Sequence, residues 1–228
     1  MTKFIDNYFG EYGIRARLFP ALICILPFIL LKHSILDHYY KVSFNQVIYG
    51  DISIGLILIY LMIQINRFLS KSLFENKDNF PTDKILLPSN KGLSNETRNK
   101  ITEKIYTDFN LHLPTQKDED SNIDDTKKKI REIVKLIIGK AGNGELILQH
   151  NIEYGFIRNF MGGSVISLIF SIINIYLFVF ISHNTILFVV SIILSLIYLI
   201  PIIFSKKILK QYGEAYTDIL FREYLQSK

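Results

Sequence analysis

Few residues in this 228-residue chain are spaced to do chemistry. His150 and Glu153 fall one helical turn apart and could share a face as base and acid. A catalytic site needs a third converging group, and none is in view. His33 and His38, with Asp37 beside them, suggest a metal, but a site would need a further ligand at a suitable spacing, so they read as interfacial polar residues. The acidic run K-D-E-D-S-N-I-D-D over 117–125 lacks the D-x-[DN]-x-[DN]-G core of a calcium loop and its closing Glu. It reads as a solvated loop that caps the following helix. The run G-K-A-G-N-G over 139–144 misses the G-x-x-x-x-G-K-[ST] spacing and follows a helix where a phosphate loop follows a strand, so a turn is expected. Cys24 is the one cysteine, which excludes a disulfide within the chain and a cysteine-based metal site. No catalytic motif is present and no cofactor is implied, so the expected role is not enzymatic.

The elements that would position such residues are dominated by lipid. Half of the chain is apolar (49%) and 21% is charged, with no Trp. The apolar residues are clumped into four runs, the pattern of a multi-pass membrane protein. The expected fold class is therefore an all-α membrane protein with four transmembrane helices and an α-rich cytoplasmic insert between the second and third. The spans are read at 18–36, 52–69, 161–182 and 186–204. Residues 1–17 carry Phe4, Ile5, Tyr8, Phe9 and Tyr12 at helical spacing and read as a short interfacial helix. Arg15 and Arg17 precede the first run as in a signal peptide. No small-x-small site follows, and Asp6 and Glu11 sit in the leader, so an uncleaved span is expected. Pro20 and Pro27 make it a kinked helix, tolerable where neighbouring helices satisfy the freed carbonyls.

Four segments follow from this reading: 1–71 (interfacial helix and two spans), 72–149 (insert), 150–205 (linker helix and two spans) and 206–228 (amphipathic tail helix). In the insert, residues 85–87 before Pro88 suggest a short strand. Ser94 is a candidate N-cap for a helix bearing Ile101, Ile105 and Phe109. Residues 110–114 look extended. A helix over 124–139 aligns Ile130, Ile133, Val134, Ile137 and Ile138 in one stripe. Residues 145–160 look helical and lead straight into the third span, and the turn at 183–185 makes the last two spans an antiparallel hairpin. The tail is expected to pack against the insert or the membrane surface. The net charge of +5 reads as flanking charge and attraction to anionic lipid, not as a surface for duplex nucleic acid. Arg15, Arg17, Arg67, Lys71, Lys77, Arg158, Lys206, Lys207 and Lys210 outnumber Lys32 and Lys41 across the spans, which places both termini and the insert in the cytoplasm.

The third span carries Gly163, Ser167 and Ser171 at every fourth residue, with Gly162 beside them and Asn174 on a nearby face. This small-xxx-small face lets a second helix approach closely. It serves either to line a pathway between several subunits or to hold a single bundle together. The junction before it, with Glu153, Tyr154 and Arg158 at headgroup level, is expected to couple the insert rigidly to that span. Two function classes remain: a homo-oligomeric pore or ion channel controlled through its insert, and a membrane scaffold or sensor that recruits a cytoplasmic partner.

Two spans, an insert of this size, the junction Y-G-F-I-R-N-F-M-G-G and a tight hairpin of spans together resemble small membrane effectors of bacterial antiphage defence. Hailong-type pore-forming effectors are the nearest layout, and the membrane component of Kiwa-type systems is a second. The resemblance covers the whole chain as an arrangement. It implies an oligomeric ion channel, a tetramer being favoured, in the bacterial inner membrane. It also implies control by a nucleotide-derived ligand made by a partner enzyme. On that resemblance, Lys127, Lys128, Arg131, Lys135 and Lys140 are the candidates to hold an anionic ligand, since lysine and arginine supply phosphate contacts. The alternative for each is a solvated helix face.

Overall fold

The structure, a computed structural model, describes residues 10–39, 48–74, 81–141 and 144–227, and for 33–39 and 48–54 the backbone alone. The expectations for residues 1–9, for the side chains of His33, Asp37 and His38, and for Gly142 lie outside the described residues. Among those described, the regular structure is helical and no strand is present. Four helical stretches are long and apolar enough to cross a membrane: Glu11–Lys32, Gly55–Phe74, Glu145–Phe180 and Thr185–Ile203. The chain divides into two compact units: 1–75 with 152–208, and 76–151 with 209–228.

The first unit is the four-span unit. Its first span opens with a turn at Glu11–Gly13 and a π-helical turn at Ile14–Leu18. It continues as α1 (Phe19–Cys24), breaks at Ile25 and resumes as α2 (Leu26–Tyr39). The break falls between Pro20 and Pro27, the expected kink. The second span is α3 (Ile48–Leu69), closed by a π-helical turn at Ser70–Phe74. The apolar core joins Ala21 and Cys24 to Met62, Ile63, Leu194 and Tyr198, with Phe28, Phe160 and Ile166 around them. Apolar side chains such as Leu56, Ile57, Ile172, Ile173, Ile193 and Leu196 are exposed, as lipid-facing positions are in a bundle taken out of its bilayer.

The second unit is built from α4 (Pro81–Ile85), α5 (Asn95–Phe109), α6 (Gln116–Ser121), α7 (Ile123–Ala141), the first turns of α8 (Glu145–Phe180) and most of α10 (Ser205–Gln226). The hairpin partner of α8 is α9 (Thr185–Ile203), capped by Asn184, whose side chain accepts from the Leu187 amide. Ser94 caps α5 as its sequence suggests, accepting from the Thr97 amide at 3.2 Å. The α7 stripe buries Ile130, Ile133, Val134 and Ile137 together with Ile101, Ile105, Leu220, Phe221 and Tyr224. Ile138, expected in that stripe, is exposed instead. It sits about 100° of helical rotation beyond Ile137, off the buried face.

Three expectations change here. Residues 85–87 form no strand: α4 ends at Ile85 and the chain turns. Arg98 explains how that turn holds, because its guanidinium donates to the carbonyl oxygens of Ile85 (3.1 Å), Leu86 (3.4 Å), Leu87 (3.2 Å) and Asn90 (2.7 Å). One delocalised cation satisfies carbonyls that a ladder would otherwise take. The acidic run is not a loop throughout, since Thr115 and Asp118 form a capping box that starts α6. Bonds from the Thr115 backbone and side chain hold the Asp118 carboxyl below the usual carboxylate value. Gly139 does not end α7, which runs on to Ala141. The tail helix packs against the insert, one of its two expected places: Leu220, Phe221 and Tyr224 complete the core of the second unit.

Arg98→Ala removes the charged donor from that turn and is expected to destabilise the second unit by about 2–3 kcal/mol. Arg98→Lys should recover part of this only, as an ammonium cannot span the same carbonyls. Circular-dichroism melting of the full chain in detergent reads both.

Candidate functional site

The prolines of the first span determine what its neighbours must supply. In an α-helix the carbonyl of residue i−4 accepts from the amide of residue i, and proline has no amide hydrogen. Pro20 therefore leaves the Ala16 carbonyl without its ordinary donor, and Pro27 leaves that of Ile23. Asn159 Nδ2 donates to the Ala16 oxygen at 2.6 Å. Tyr198 Oη donates to the Ile23 oxygen at 2.7 Å. The break adds a third case: the Phe28 amide turns to Ile25 at 3.0 Å, which releases the Cys24 carbonyl. Ser167 Oγ donates to that oxygen at 2.7 Å. Asn174 Nδ2 donates to the Pro27 oxygen at 2.7 Å. Two helices thus repair a third where no water can.

Gly155, Asn159, Gly163, Ser167 and Ser171 recur every fourth residue along α8, and Asn174 extends the row. Ser167, Ser171, Asn174 and Asn159 are each within 1% of full burial. The row is an interface inside the chain. A Cβ at Gly162 would collide with the Asn66 carbonyl oxygen and lie 2.6 Å from the Ser70 amide. One at Gly163 would meet the Asn66 carboxamide and the Cys24 sulfur. One at Gly155 would lie 2.9 Å from both the Ala16 methyl and Tyr12 Oη. Glycine at these positions lets the first and second spans reach the backbone of α8. Of the two roles open to the strip, the geometry displays the one that holds the bundle. Ser171, Ser191 and Ser195 donate back to carbonyls of their own helices.

The five basic candidates of the second unit separate into two groups. Arg131 Nε pairs with Asp83 at 3.2 Å and so ties α7 to α4. Lys140 Nζ pairs with Asp108 at 2.5 Å and ties α7 to α5, with Lys104 at 3.6 Å on the other carboxylate oxygen. Burial raises the Asp108 carboxyl, but the Lys140 hydrogen bond and the nearby lysine charges outweigh it and hold it below its ordinary value. Lys127, Lys128 and Lys135 make no ion pair with any described residue, and Lys128 and Lys135 are exposed. These three alone are free to meet an anion.

At the junction, Glu153 is exposed and the Arg158 guanidinium lies 5.5 Å from the centre of the Tyr154 ring, a stacked cation one turn along α8. His150 does not join Glu153 in a site. It is buried, with Nε2 at 2.9 Å from the Tyr212 carbonyl oxygen and its ring centre 5.8 Å from those of both Tyr212 and Tyr216. No group of three His, Cys, Asp or Glu side chains suited to a metal occurs among the described residues.

Asn159, Tyr198, Gly155 and Asn66 were missed as functional positions. Asn159 had a signal, since it extends the four-residue spacing back from Gly163. Tyr198 had none beyond being a polar-tipped aromatic within a span. No known protein family, curated protein or solved structure matches this chain.

Asn159→Ala is expected to cost about 1 kcal/mol, the scale of hydrogen bonds between helices in a membrane. In a Pro20→Ala background residue 20 regains an amide for Ala16, and the same substitution should cost clearly less. Unfolding of the four variants in mixed micelles measures this coupling.

Proposed function

We propose that the protein is a non-catalytic membrane effector in which the second unit receives a signal and the four-span unit produces the output. The observation that supports this reading is α8, an uninterrupted helix of 36 residues. At 1.5 Å per residue it is about 54 Å long, against about 30 Å for a hydrocarbon core. The surplus carries Glu153, Tyr154 and Arg158, and the same helix continues into the glycine-lined part of the span. The output assigned is ion conduction by a homo-oligomer, with a tetramer favoured, in the bacterial inner membrane with the insert and both termini in the cytoplasm. The charge distribution across the spans supports that orientation. Antiphage defence is the biological setting that the layout suggests.

The geometry constrains this reading in two ways. The strip from Gly155 to Asn174 is used within the chain, so a pathway would run between copies, along other faces. A phosphate-bearing, nucleotide-derived ligand would meet Lys127, Lys128 and Lys135, because Arg131 and Lys140 are committed to Asp83 and Asp108. A second reading, a scaffold or sensor that recruits a cytoplasmic partner, is favoured by the exposed span side chains being apolar, as in a bundle that simply sits in lipid.

Planar-bilayer recording of the purified full-length protein, alongside its mass in detergent, separates the two. The channel reading expects discrete conductance steps and a homo-oligomer, with conductance abolished in Gly163→Leu and weakened in Arg158→Ala. Silent bilayers from a monomer would overturn it. The scaffold reading then requires a stoichiometric soluble partner that is lost on deleting the insert.

A further inference from the structure

The second span meets α8 through a row of its own. Met62, Asn66 and Ser70 recur every fourth residue along it, and all three are buried. Gly163 faces the Asn66 carboxamide, and Gly162 faces the Asn66 carbonyl oxygen and the Ser70 amide. Numbers rise along the second span as they fall along α8, so the two helices run in opposite directions. One turn beyond Gly163, toward the Ser70 end, stands Asn159. The Asn66 side chain is fully buried, and neither its Nδ2 nor its Oδ1 has a hydrogen-bond partner. The Cys24 sulfur lies close by, but a thiol is only a weak donor and acceptor. A carboxamide held this way in an apolar interior has given up water for nothing of equal strength.

Asn159 carries the complementary deficit. Its Nδ2 is committed to the Ala16 carbonyl, while its Oδ1 is buried and unpaired. An unpaired donor on the second span and an unpaired acceptor on α8 are thus offset by four residues of α8, about 6 Å along the axis. Two rows with the same four-residue period can interlock in registers one turn apart. A slide of α3 by one turn toward its Ser70 end keeps the close approach at Gly162, because a helix backbone repeats every turn. It brings Met62, an adaptable apolar side chain, to Gly163. It also carries Asn66 to the level of Asn159. The end of the span has slack for this movement, since Ser70–Phe74 is a π-helical turn, wider than an α turn by one residue.

We propose that the second span has two seatings on α8, one turn apart. Asn66 is unpaired in the seating described here, and in the other its Nδ2 donates to Asn159 Oδ1. The hydrogen bond gained in the second seating offsets the side-chain contacts of the first, so the span is a two-position element inside the four-span unit. The proposal depends neither on ion conduction nor on a ligand for the second unit.

Spin labels on Leu56→Cys and Glu153→Cys, both exposed positions, read the slide. They lie on opposite sides of the Asn66–Gly163 contact, about 30 Å apart along the axis, and the slide shortens that separation by about 6 Å. The full-length protein is labelled while folded, reconstituted in lipid vesicles and measured by pulsed electron resonance. The chain with its buried Cys24 alone serves as the blank. The doubly labelled protein should show two separations about 6 Å apart. Adding Asn66→Leu, which leaves no carboxamide to pair, should remove the shorter one. Adding Asn159→Ala, which removes the acceptor, should deplete it as well. A single separation in the doubly labelled protein would overturn the proposal, as would a shorter separation that survives Asn66→Leu. Either failure leaves the conductance and oligomer measurements untouched.

Discussion

A backbone carbonyl without a donor can be left to water at a protein surface and cannot be left to anything in a bilayer core. Two prolines in the first span create that deficit at Ala16 and Ile23, and the break at Ile25 creates it again at Cys24. The remaining spans are arranged to meet it. Asn159 and Ser167 reach across from α8 and Tyr198 from α9. Each donor works only if its helix comes within hydrogen-bond distance of the first, which for α8 requires glycine at 155 and 163. The kink, the small-residue row and the buried amides are thus one device. The face that most resembles a conduction path by composition is the face that the bundle cannot spare.

The second unit satisfies backbone carbonyls with charge. Its helices are tied together in part by cations that reach distant carboxylates and carbonyls: Arg98 onto the turn after α4, Arg131 onto Asp83, Lys140 onto Asp108. The buried cluster that includes Ile137 and Tyr224 supplies the apolar core, while these contacts tie α7 to α4 and α5. Their engagement narrows what a ligand can use. A basic helix face that looks uniform in sequence leaves Lys127, Lys128 and Lys135 available and uses the other two for the fold.

Local features were legible from residue spacing. The spans follow from apolar run length, α5 from Ser94 and the spacing of Ile101 and Ile105, and α7 from its isoleucine stripe, because each depends on residues within a few turns of one another. The proline kink was legible too, together with the demand that some neighbour satisfy the carbonyls. The identity of that neighbour was not. Asn159 and Ala16 are 143 residues apart, as are Ser167 and Cys24, and spacing along a chain carries no information on which helices meet. The strand expected at 85–87 failed for the same reason, since Arg98 lies outside any window that describes the turn. The split among the basic residues depends on Asp83 and Asp108, each more than thirty residues away from its partner.

The central claim is that the row from Gly155 to Asn174 is sealed inside each chain. Thiol labelling tests it most directly. In a Cys24→Ala background, single Ser167→Cys, Ser171→Cys and Lys206→Cys variants in membranes are exposed to a water-soluble thiol reagent. Lys206→Cys should react readily, and Ser167→Cys and Ser171→Cys should stay unmodified until the protein is unfolded. Modification of the two span positions at the rate of Lys206→Cys would contradict the claim and return the row to a water-filled pathway.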